Sequence, residues 1–115
     1  MYDGNDSRFV RVGTWAMLTT SGPYASTLNY SSSIGDTASF TFNGSGIVLY
    51  YTQYTNRGNI DVYVDDVLVT TINANGALVW QKTWSSPSLG AGVHTAKFVH
   101  VAGSVTEIDA ITILP

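Results

Sequence analysis

The strongest constraint on the fold is a strict alternation of apolar and polar side chains over Ile60–Asn73, IDVYVDDVLVTTIN. Ile60, Val62 and Val64 point to one side of an extended chain and the residues between them to the other, which is the period of a strand buried on one face. The alternation resumes after Asp65-Asp66, so the segment predicts a β-hairpin. Because two aspartates fit poorly into a turn that requires positive φ, we expect the hairpin to form with a different turn.

The same alternation recurs along most of the chain. Asp36–Phe42 and Ile47–Tyr51 flank the turn residues Asn43–Gly46, which predicts a second hairpin. The polar stretch Ser21–Ser33 predicts a long loop. Further strands are predicted over Arg8–Val12, Leu78–Trp84, Val93–Val101 and Thr106–Leu114, the last two as a closing pair.

About eight short strands and no sustained helical period predict an all-β fold, a sandwich or jelly roll. A chain of 115 residues can bury one core but not two, so we expect a single β-sandwich domain over residues 1–115. In such a fold, function comes from loops and exposed faces and not from a helix-borne catalytic motif.

The composition favours a neutral, polar partner. Charged residues form 11% of the chain, against roughly 25% in an average soluble protein. Five Lys plus Arg against eight Asp plus Glu give a net charge of −3, which disfavours nucleic acid because nucleic-acid binding depends on clustered cations. A surface rich in hydroxyls and aromatic rings suits a glycan or polysaccharide.

The cysteine count and the hydropathy limit the kinds of cross-link, metal site and membrane attachment that the chain can have. The absence of cysteine excludes disulfides and thiolate metal sites. No window approaches the roughly 18 consecutive apolar residues that cross a bilayer, so we expect no membrane insertion. The polar start MYDGNDSR lacks the apolar region of a secretory signal, and we expect a domain cut from a longer secreted or cell-surface protein.

Several phrases occur in a recognisable order: NDSRFVRVGTW, TASFTFNGSGIVLYY, NRGNIDVYVDDVLV, LGAGVHTAKFVHVAG and EIDAITIL. Together they resemble the galactose-binding-like jelly-roll modules of secreted carbohydrate-active enzymes and surface proteins. The resemblance implies a two-sheet antiparallel jelly roll and, commonly, non-catalytic sugar binding. It transfers no individual sugar contact, because the ligand-contacting residues of such modules lie in variable loops.

Site candidates therefore come from side-chain chemistry. An aromatic ring flanked by polar groups can stack on a sugar and bind its hydroxyls. Tyr54, Asn56 and Arg57 combine these groups in one predicted loop, and Tyr24 in the long loop is a further candidate. The alternative for Arg57 is a local salt bridge with Asp61 or Asp65. Alternation also predicts that one tyrosine of the pair Tyr50 and Tyr51 is in the core.

Trp80 and Trp84 are four residues apart, so in a regular strand they would share one side of the sheet. On an exposed face they would form a flat platform for a glycan; on the inner face they would fill the core. The polar neighbours Gln81, Lys82 and Thr83 indicate that at least one face is in contact with water, and for Trp84, beside the Ser85-Ser86-Pro87 loop, exposure and burial both stay open. Trp15 follows a Gly-Thr turn and is assigned to the core or its rim.

A structural calcium ion is a possible cofactor, although none is required. Modules of the resembling type often carry one near the chain termini, where Asp3, Asp6 and Asp109 would supply carboxylate oxygens if the first and last strands are neighbours. The alternative is that Asp3 and Asp6 are turn or cap residues and that Asp109 accepts hydrogen bonds within the protein. Metal content after dialysis distinguishes the two.

Catalysis finds little support in the sequence. A glycosidase needs two carboxylates across a cleft, and the chain has one glutamate, Glu107. His94 and His100 fall on one face of a predicted strand and lack a third zinc ligand by spacing. We expect His94 to be structural and His100 to lie at the surface.

The sequence thus predicts a non-catalytic carbohydrate-binding module of undetermined oligomeric state that tethers a parent protein to a glycan. The alternative is a structural or adhesive β-sandwich domain, such as part of a surface or phage tail fibre, that acts through protein contacts. An enzyme with a minimal active site is a third possibility and would require a deep cleft holding two carboxylates.

Overall fold

The computed structural model describes residues 2–3, 9–13, 15–19 and 27–115, and for residues 2–3, 17–19 and 27–29 it describes the backbone only. These residues contain twelve strands. They are β1 Tyr2–Asp3, β2 Val10–Val12, β3 Trp15–Thr19, β4 Thr27–Ser31, β5 Thr37–Asn43, β6 Gly46–Gln53, β7 Asn59–Val64, β8 Val67–Asn73, β9 Val79–Ser85, β10 Val93–His100, β11 Thr106–Ile108 and β12 Ala110–Leu114. In the described part of the chain, no helix is long and apolar enough to span a bilayer.

The strands form a two-layer sandwich. One layer is a five-stranded sheet in the order β2-β5-β10-β7-β8; the other is a four-stranded sheet in the order β1-β12-β6-β9. A three-stranded sheet, β11-β4-β3, extends the second layer because only Asp109 separates β11 from β12. The strand pairs are antiparallel. The predicted all-β antiparallel sandwich is confirmed, and its strands exceed the expected eight because several have only two or three residues.

A single apolar core lies between the two layers. The five-stranded sheet contributes buried side chains such as Phe40, Val62 and Phe98, and the facing layer contributes Ile47 and Leu49. In β7 the buried and partly exposed residues alternate as the sequence predicts. Removing these side chains from water is the main favourable term in folding a sandwich of this size.

The predicted hairpin at Asp65-Asp66 is present, since β7 pairs with β8. The expectation of a different turn is wrong. Asp65 and Asp66 have φ values of 51° and 66°, so both adopt the left-handed conformation that a two-residue primed turn needs. The bonds of the Asp65 carboxylate explain why this turn tolerates an aspartate at positive φ. The carboxylate accepts a 3.0 Å hydrogen bond from Thr95 N and forms one of 2.6 Å with His94 Nδ1.

Two other predicted pairings are wrong. β5 pairs with β2 and β10, and β6 pairs with β12 and β9, so Asn43–Gly46 carries the chain from one sheet to the other. Similarly, β10 belongs to the five-stranded sheet, whereas β11 and β12 belong to the opposite layer. Two strands that face each other across a core show the same alternation as two strands paired in a hairpin, and the sequence pattern does not distinguish them.

The predicted long loop Ser21–Ser33 is wrong in its second half, where residues 27–31 form β4. Residues 20–26 lie outside the described part of the chain. Trp15 packs against the core from its rim, as predicted. Tyr51 is buried and Tyr50 is partly exposed, which confirms that one of the two tyrosines is in the core.

Candidate functional site

The segment Tyr54–Gly58 follows β6 and carries three of the predicted contact residues. On one side it is held by the turn after β8: Tyr54 N donates to Ala74 O at 3.0 Å, and Gly76 N donates to Tyr54 O at 3.2 Å. The Asn75 side-chain amide also donates to Thr55 O at 2.8 Å and to Arg57 O at 3.0 Å. These bonds fix the backbone of the segment in one conformation.

The other side of the segment is held by the connection between β10 and β11. Asn56 O accepts hydrogen bonds from Ser104 N at 3.0 Å and from Val105 N at 3.2 Å. Gly58 packs so closely on this connection that a Cβ atom would lie 2.5 Å from Ala102 C. The segment is therefore clamped between two neighbouring connections, and its side chains project from a fixed base.

Arg57 forms an ion pair, as its alternative interpretation proposed, but with a different partner. Its Nη2 lies 2.6 Å from Glu107 Oε2, and the two side chains are 12% and 1% exposed. The expected partners are engaged elsewhere: Asp61 accepts from Thr71 Oγ1 at 2.6 Å, and Asp65 contacts His94. Prediction of an Asp61 or Asp65 salt bridge is therefore wrong, because both carboxylates have closer partners on neighbouring strands.

Glu107 lies beneath the segment in β11, all three residues of which are buried. Burial raises the pKa of Glu107 above its ordinary value, while the neighbouring Thr52 and the charge of Arg57 oppose that change. The Arg57 guanidinium also donates through Nη1 to Asn56 Oδ1 and lies 5.8 Å from the centroid of the Tyr54 ring. Arg57 thus connects a buried carboxylate to both of the other candidate residues in the segment.

Trp80 and Trp84 do not share a face of the sheet. Tyr51 pairs with Lys82 and Gln53 pairs with Val79, so one residue of β6 lies opposite two residues of β9. This β-bulge, at which Gln81 has a φ of 52°, reverses the alternation between the two indoles. Trp84 pairs with Leu49 and packs against the core, whereas Trp80 is 37% exposed. A two-indole platform and an exposed Trp84 are therefore excluded.

Trp80 belongs to an exposed apolar edge at the same end of the sheet as the clamped segment. The pairing of Gln53 with Val79 brings Tyr54 and Leu78 to this end. Four side chains of this edge remain substantially exposed: Tyr54 at 42%, Leu78 at 48%, Val79 at 42% and Trp80 at 37%. Polar side chains border them, namely Gln53, Asn56, Asn75 and Lys82. We call the four apolar residues and this border the aromatic edge.

The predicted calcium site is not seen among the described residues, and two of its three predicted ligand side chains lie outside them. β1 pairs with β12, so the terminal strands are neighbours as expected, and Asp3 lies opposite Ala110. Asp109 is fully buried. Asp6 and the side chain of Asp3 lie outside what the structure describes, as does Tyr24 among the predicted sugar contacts. In the described ranges, no three His, Cys, Asp or Glu side chains form a group that could hold a metal.

The expectation of a surface position for His100 is wrong. His100 is fully buried, with Nδ1 3.0 Å from Ser31 Oγ and Nε2 2.8 Å from Gly103 O. Ser31 Oγ is also 2.8 Å from Asp36 Oδ2. The serine therefore separates the histidine from the acid, in contrast to a catalytic triad, where the histidine stands between the other two. The group is sealed from solvent and anchors the β10–β11 connection.

Sequence reasoning missed three residues that support the site. Asn75 was assigned no role, and Glu107 and His100 gave no periodic signal beyond their strands. One signal was available for Glu107: a lone glutamate at an inward position of an apolar strand requires a cationic partner, and few cations exist in the chain.

The sequence matches no protein-family model. Two enzymes of Flavonifractor plautii are each 34% identical over 108 residues, which is 93% of this chain. They are an A type blood alpha-D-galactosamine galactosaminidase and an A type blood N-acetyl-alpha-D-galactosamine deacetylase. The chain spans only 10% and 14% of the lengths of these relatives.

Among solved structures, a family 35 carbohydrate binding module from an environmental isolate superimposes with a TM-score of 0.73 at 14% sequence identity. The match covers 99% of this chain and 91% of that module. The chain has the fold of a carbohydrate-binding module. The fold resemblance predicted from the ordered phrases of the sequence is thus confirmed, and the aromatic edge lies on a scaffold that nearly coincides with a complete module.

Proposed function

We propose that the chain is a non-catalytic carbohydrate-binding module that tethers a parent protein to a glycan or polysaccharide through the aromatic edge. The observation that carries this proposal is the exposure of Tyr54, on the clamped segment, and of Trp80, on β9, beside the side-chain amides of Asn56 and Asn75. A non-catalytic role is supported by the near-complete match to a small module, whereas the two enzymes match over a small part of their length.

The binding mechanism follows from the chemistry of the edge. The faces of the Tyr54 and Trp80 rings stack on the C–H groups of a sugar, while Asn56 and neighbouring amides bind its hydroxyls. Because a shallow site must strip water from a strongly hydrated ligand, affinity for one site is modest, on the order of micromolar to millimolar. Display of several modules on one polymer would strengthen attachment.

For the ligand class, we infer a glycan that carries N-acetyl-alpha-D-galactosamine, as in the A-type structures named for the two relatives. The charges of the edge favour the acetylated sugar over the free amine. Arg57 and Lys82 lie at this end. Among the described residues, the partly exposed Asp61 carboxylate is bonded to Thr71 Oγ1, and the exposed carboxylates of Asp65 and Asp66 follow the far end of β7. Six strand residues place them about 20 Å away, too far to balance a protonated amine.

Calorimetry tests this proposal. The ligands are an A-type oligosaccharide ending in N-acetylgalactosamine, its de-N-acetylated form and a neutral polysaccharide. Tyr54→Ala and Trp80→Ala should each weaken binding of the acetylated ligand by about tenfold. Tyr63→Ala is the matched control, since Tyr63 lies on the five-stranded sheet with Lys97 Nζ 4.8 Å from its ring centroid. No binding across a broad glycan panel would contradict the proposal.

The second candidate is a structural or adhesive domain, and a second set of exposed apolar side chains favours it. Val67, Leu68 and Val93 are 64%, 49% and 69% exposed, and exposed apolar side chains can form protein interfaces. Light scattering separates the candidates, because an interface domain forms a defined oligomer whereas a tethering module stays monomeric. In either role, we propose that the parent protein is secreted or displayed at a cell surface.

A further inference from the structure

We propose that Glu107 is a positioning residue for the aromatic edge: it holds Arg57 so that the guanidinium orients both the Asn56 amide and the Tyr54 ring. This inference rests on the proposed function, because it assigns the origin of the geometry with which the same edge would meet a sugar. Glu107 itself is 1% exposed, so its effect on a ligand would be exerted through Arg57.

The first step runs from the core to the guanidinium. Glu107 belongs to a fully buried strand and pairs with Tyr30 of β4, so its backbone is held by the neighbouring strand. Its Oε2 accepts a 2.6 Å hydrogen bond from Arg57 Nη2. A charged bond of this length to a buried acceptor restricts the guanidinium more than a neutral bond would. Of the groups packed around the carboxylate, Arg57 supplies the charge and Thr52 a neutral hydroxyl.

The second step runs from the guanidinium to Asn56. Arginine can only donate hydrogen bonds, so the Asn56 atom facing Nη1 must be the carbonyl Oδ1. The Asn56 amide nitrogen is therefore the group that faces away from Arg57. Since Asn56 is exposed, this arrangement directs its NH₂ donor, and not its carbonyl oxygen, away from Arg57 and toward a ligand at the edge.

The third step concerns the Tyr54 ring. The Arg57 guanidinium lies 5.8 Å from the ring centroid, within the range of a cation–π contact. Because the cation covers one face of the ring, the opposite face is the one left for a sugar. Loss of the carboxylate would free the guanidinium to rotate, and both the ring and the amide would lose a fixed neighbour.

The decisive variant is Glu107→Gln, which keeps the size of the side chain and removes its charge. We expect about a tenfold loss of affinity for the A-type ligand. We also expect shifts of the Asn56 side-chain amide and Tyr54 ring resonances in the ligand-free protein. Ile108→Val is the control: it perturbs the same buried strand without touching Arg57 and should move neither set of resonances.

A double variant checks that Glu107 acts through Arg57. In an Arg57→Gln background, Glu107→Gln should cause little further loss, because the two substitutions remove one interaction. If Glu107→Gln does not fold, Glu107→Asp withdraws the carboxylate by one methylene and should produce the same shifts.

Unchanged affinity together with unchanged Asn56 and Tyr54 resonances in Glu107→Gln would overturn the inference. Additive losses in the double variant would overturn it as well. If the wild-type protein binds no glycan, the proposed function fails, and the ligand-free resonances alone decide whether Glu107 positions the edge.

Discussion

The backbone of Gly58 lies directly against that of Gly103, with only 2.5 Å between Gly58 N and the position a Cβ atom would occupy on Gly103. The reverse contact is equally tight, since a Cβ on Gly58 would lie 2.6 Å from Gly103 N. Gly58 ends the clamped segment and Gly103 accepts a hydrogen bond from buried His100. The contact between Gly58 and Gly103 thus makes the position of the clamped segment depend on where buried His100 holds Gly103.

Gly58→Ala should therefore damage both stability and binding. Its methyl group can be accommodated only by a shift of one backbone, and overpacking of this kind costs about 1–3 kcal/mol. Because the shift displaces the clamped segment, glycan affinity should also fall. Urea denaturation and calorimetry measure the two effects. Gly35→Ala is the control: it strains a residue with φ of 101° in open space, so it should lower stability without changing affinity.

The two tryptophans of β9 should respond in opposite ways to truncation. Trp84→Ala removes an indole that packs against the core opposite Leu49 and should destabilise the fold by about 3 kcal/mol. Trp80→Ala should lower the free energy of unfolding by less than Trp84→Ala does, because more than a third of the Trp80 indole is exposed, but it should weaken glycan binding. Denaturation and titration of both variants compare them. The reverse pattern would show that the bulge does not separate the indoles.

How far the sequence predicts this fold is clearest in the hairpin of β7 and β8. Alternation correctly places Ile60 and Val62 inside because each strand is buried on one face, and this information is local. Which strands pair with β5 depends on residues far away in the sequence, so the local pattern does not predict it. Phe40 and Leu49 belong to the same core but to different sheets, and the alternation is the same for that arrangement as for a hairpin.

The candidate site shows the same limit. Side-chain chemistry predicted a shared role for Tyr54, Asn56 and Arg57, and their adjacency in sequence guarantees that they are neighbours. It could not identify Glu107 as the partner of Arg57, since the two are 50 positions apart. Nor could it place Trp80, because one extra residue in β9 reverses every side chain beyond it and no residue type marks that bulge.

The turn between β7 and β8 offers a stabilising substitution. Asp66 has a φ of 66°, which costs an aspartate conformational energy and costs glycine none. Asp66→Gly should therefore raise the free energy of unfolding by about 0.5–1 kcal/mol, measurable as an increase in Tm. Asp65→Gly is the contrast, because Asp65 has a similar φ but binds His94 and Thr95 through its side chain. It should destabilise; a gain in both variants would contradict the role given to the Asp65 carboxylate.

The contact between His94 and Asp65 should make stability depend on pH. The hydrogen bond to Asp65, followed by that to the Gly90 carbonyl, raises the pKa of His94; the hydrogen bond to His94, followed by that from Thr95 N, lowers the pKa of Asp65. The histidine contribution is complete below its unfolded pKa of about 6.5 and is lost as pH rises through the raised value. The aspartate contribution is complete above about pH 3.9 and is lost as pH falls through the lowered value.

The stabilisation from this pair should thus be greatest between about pH 4 and 6.5. The difference in Tm between wild type and His94→Gln should be largest in that window and shrink above pH 7. Asp61→Asn is the control, because Asp61 bonds to Thr71 and not to a histidine, and its effect should not shrink there. An NMR titration gives the direct measurement: the His94 midpoint should lie above 6.5 in the wild type and fall in Asp65→Asn. A midpoint that does not respond to Asp65→Asn would refute the pairing as the cause.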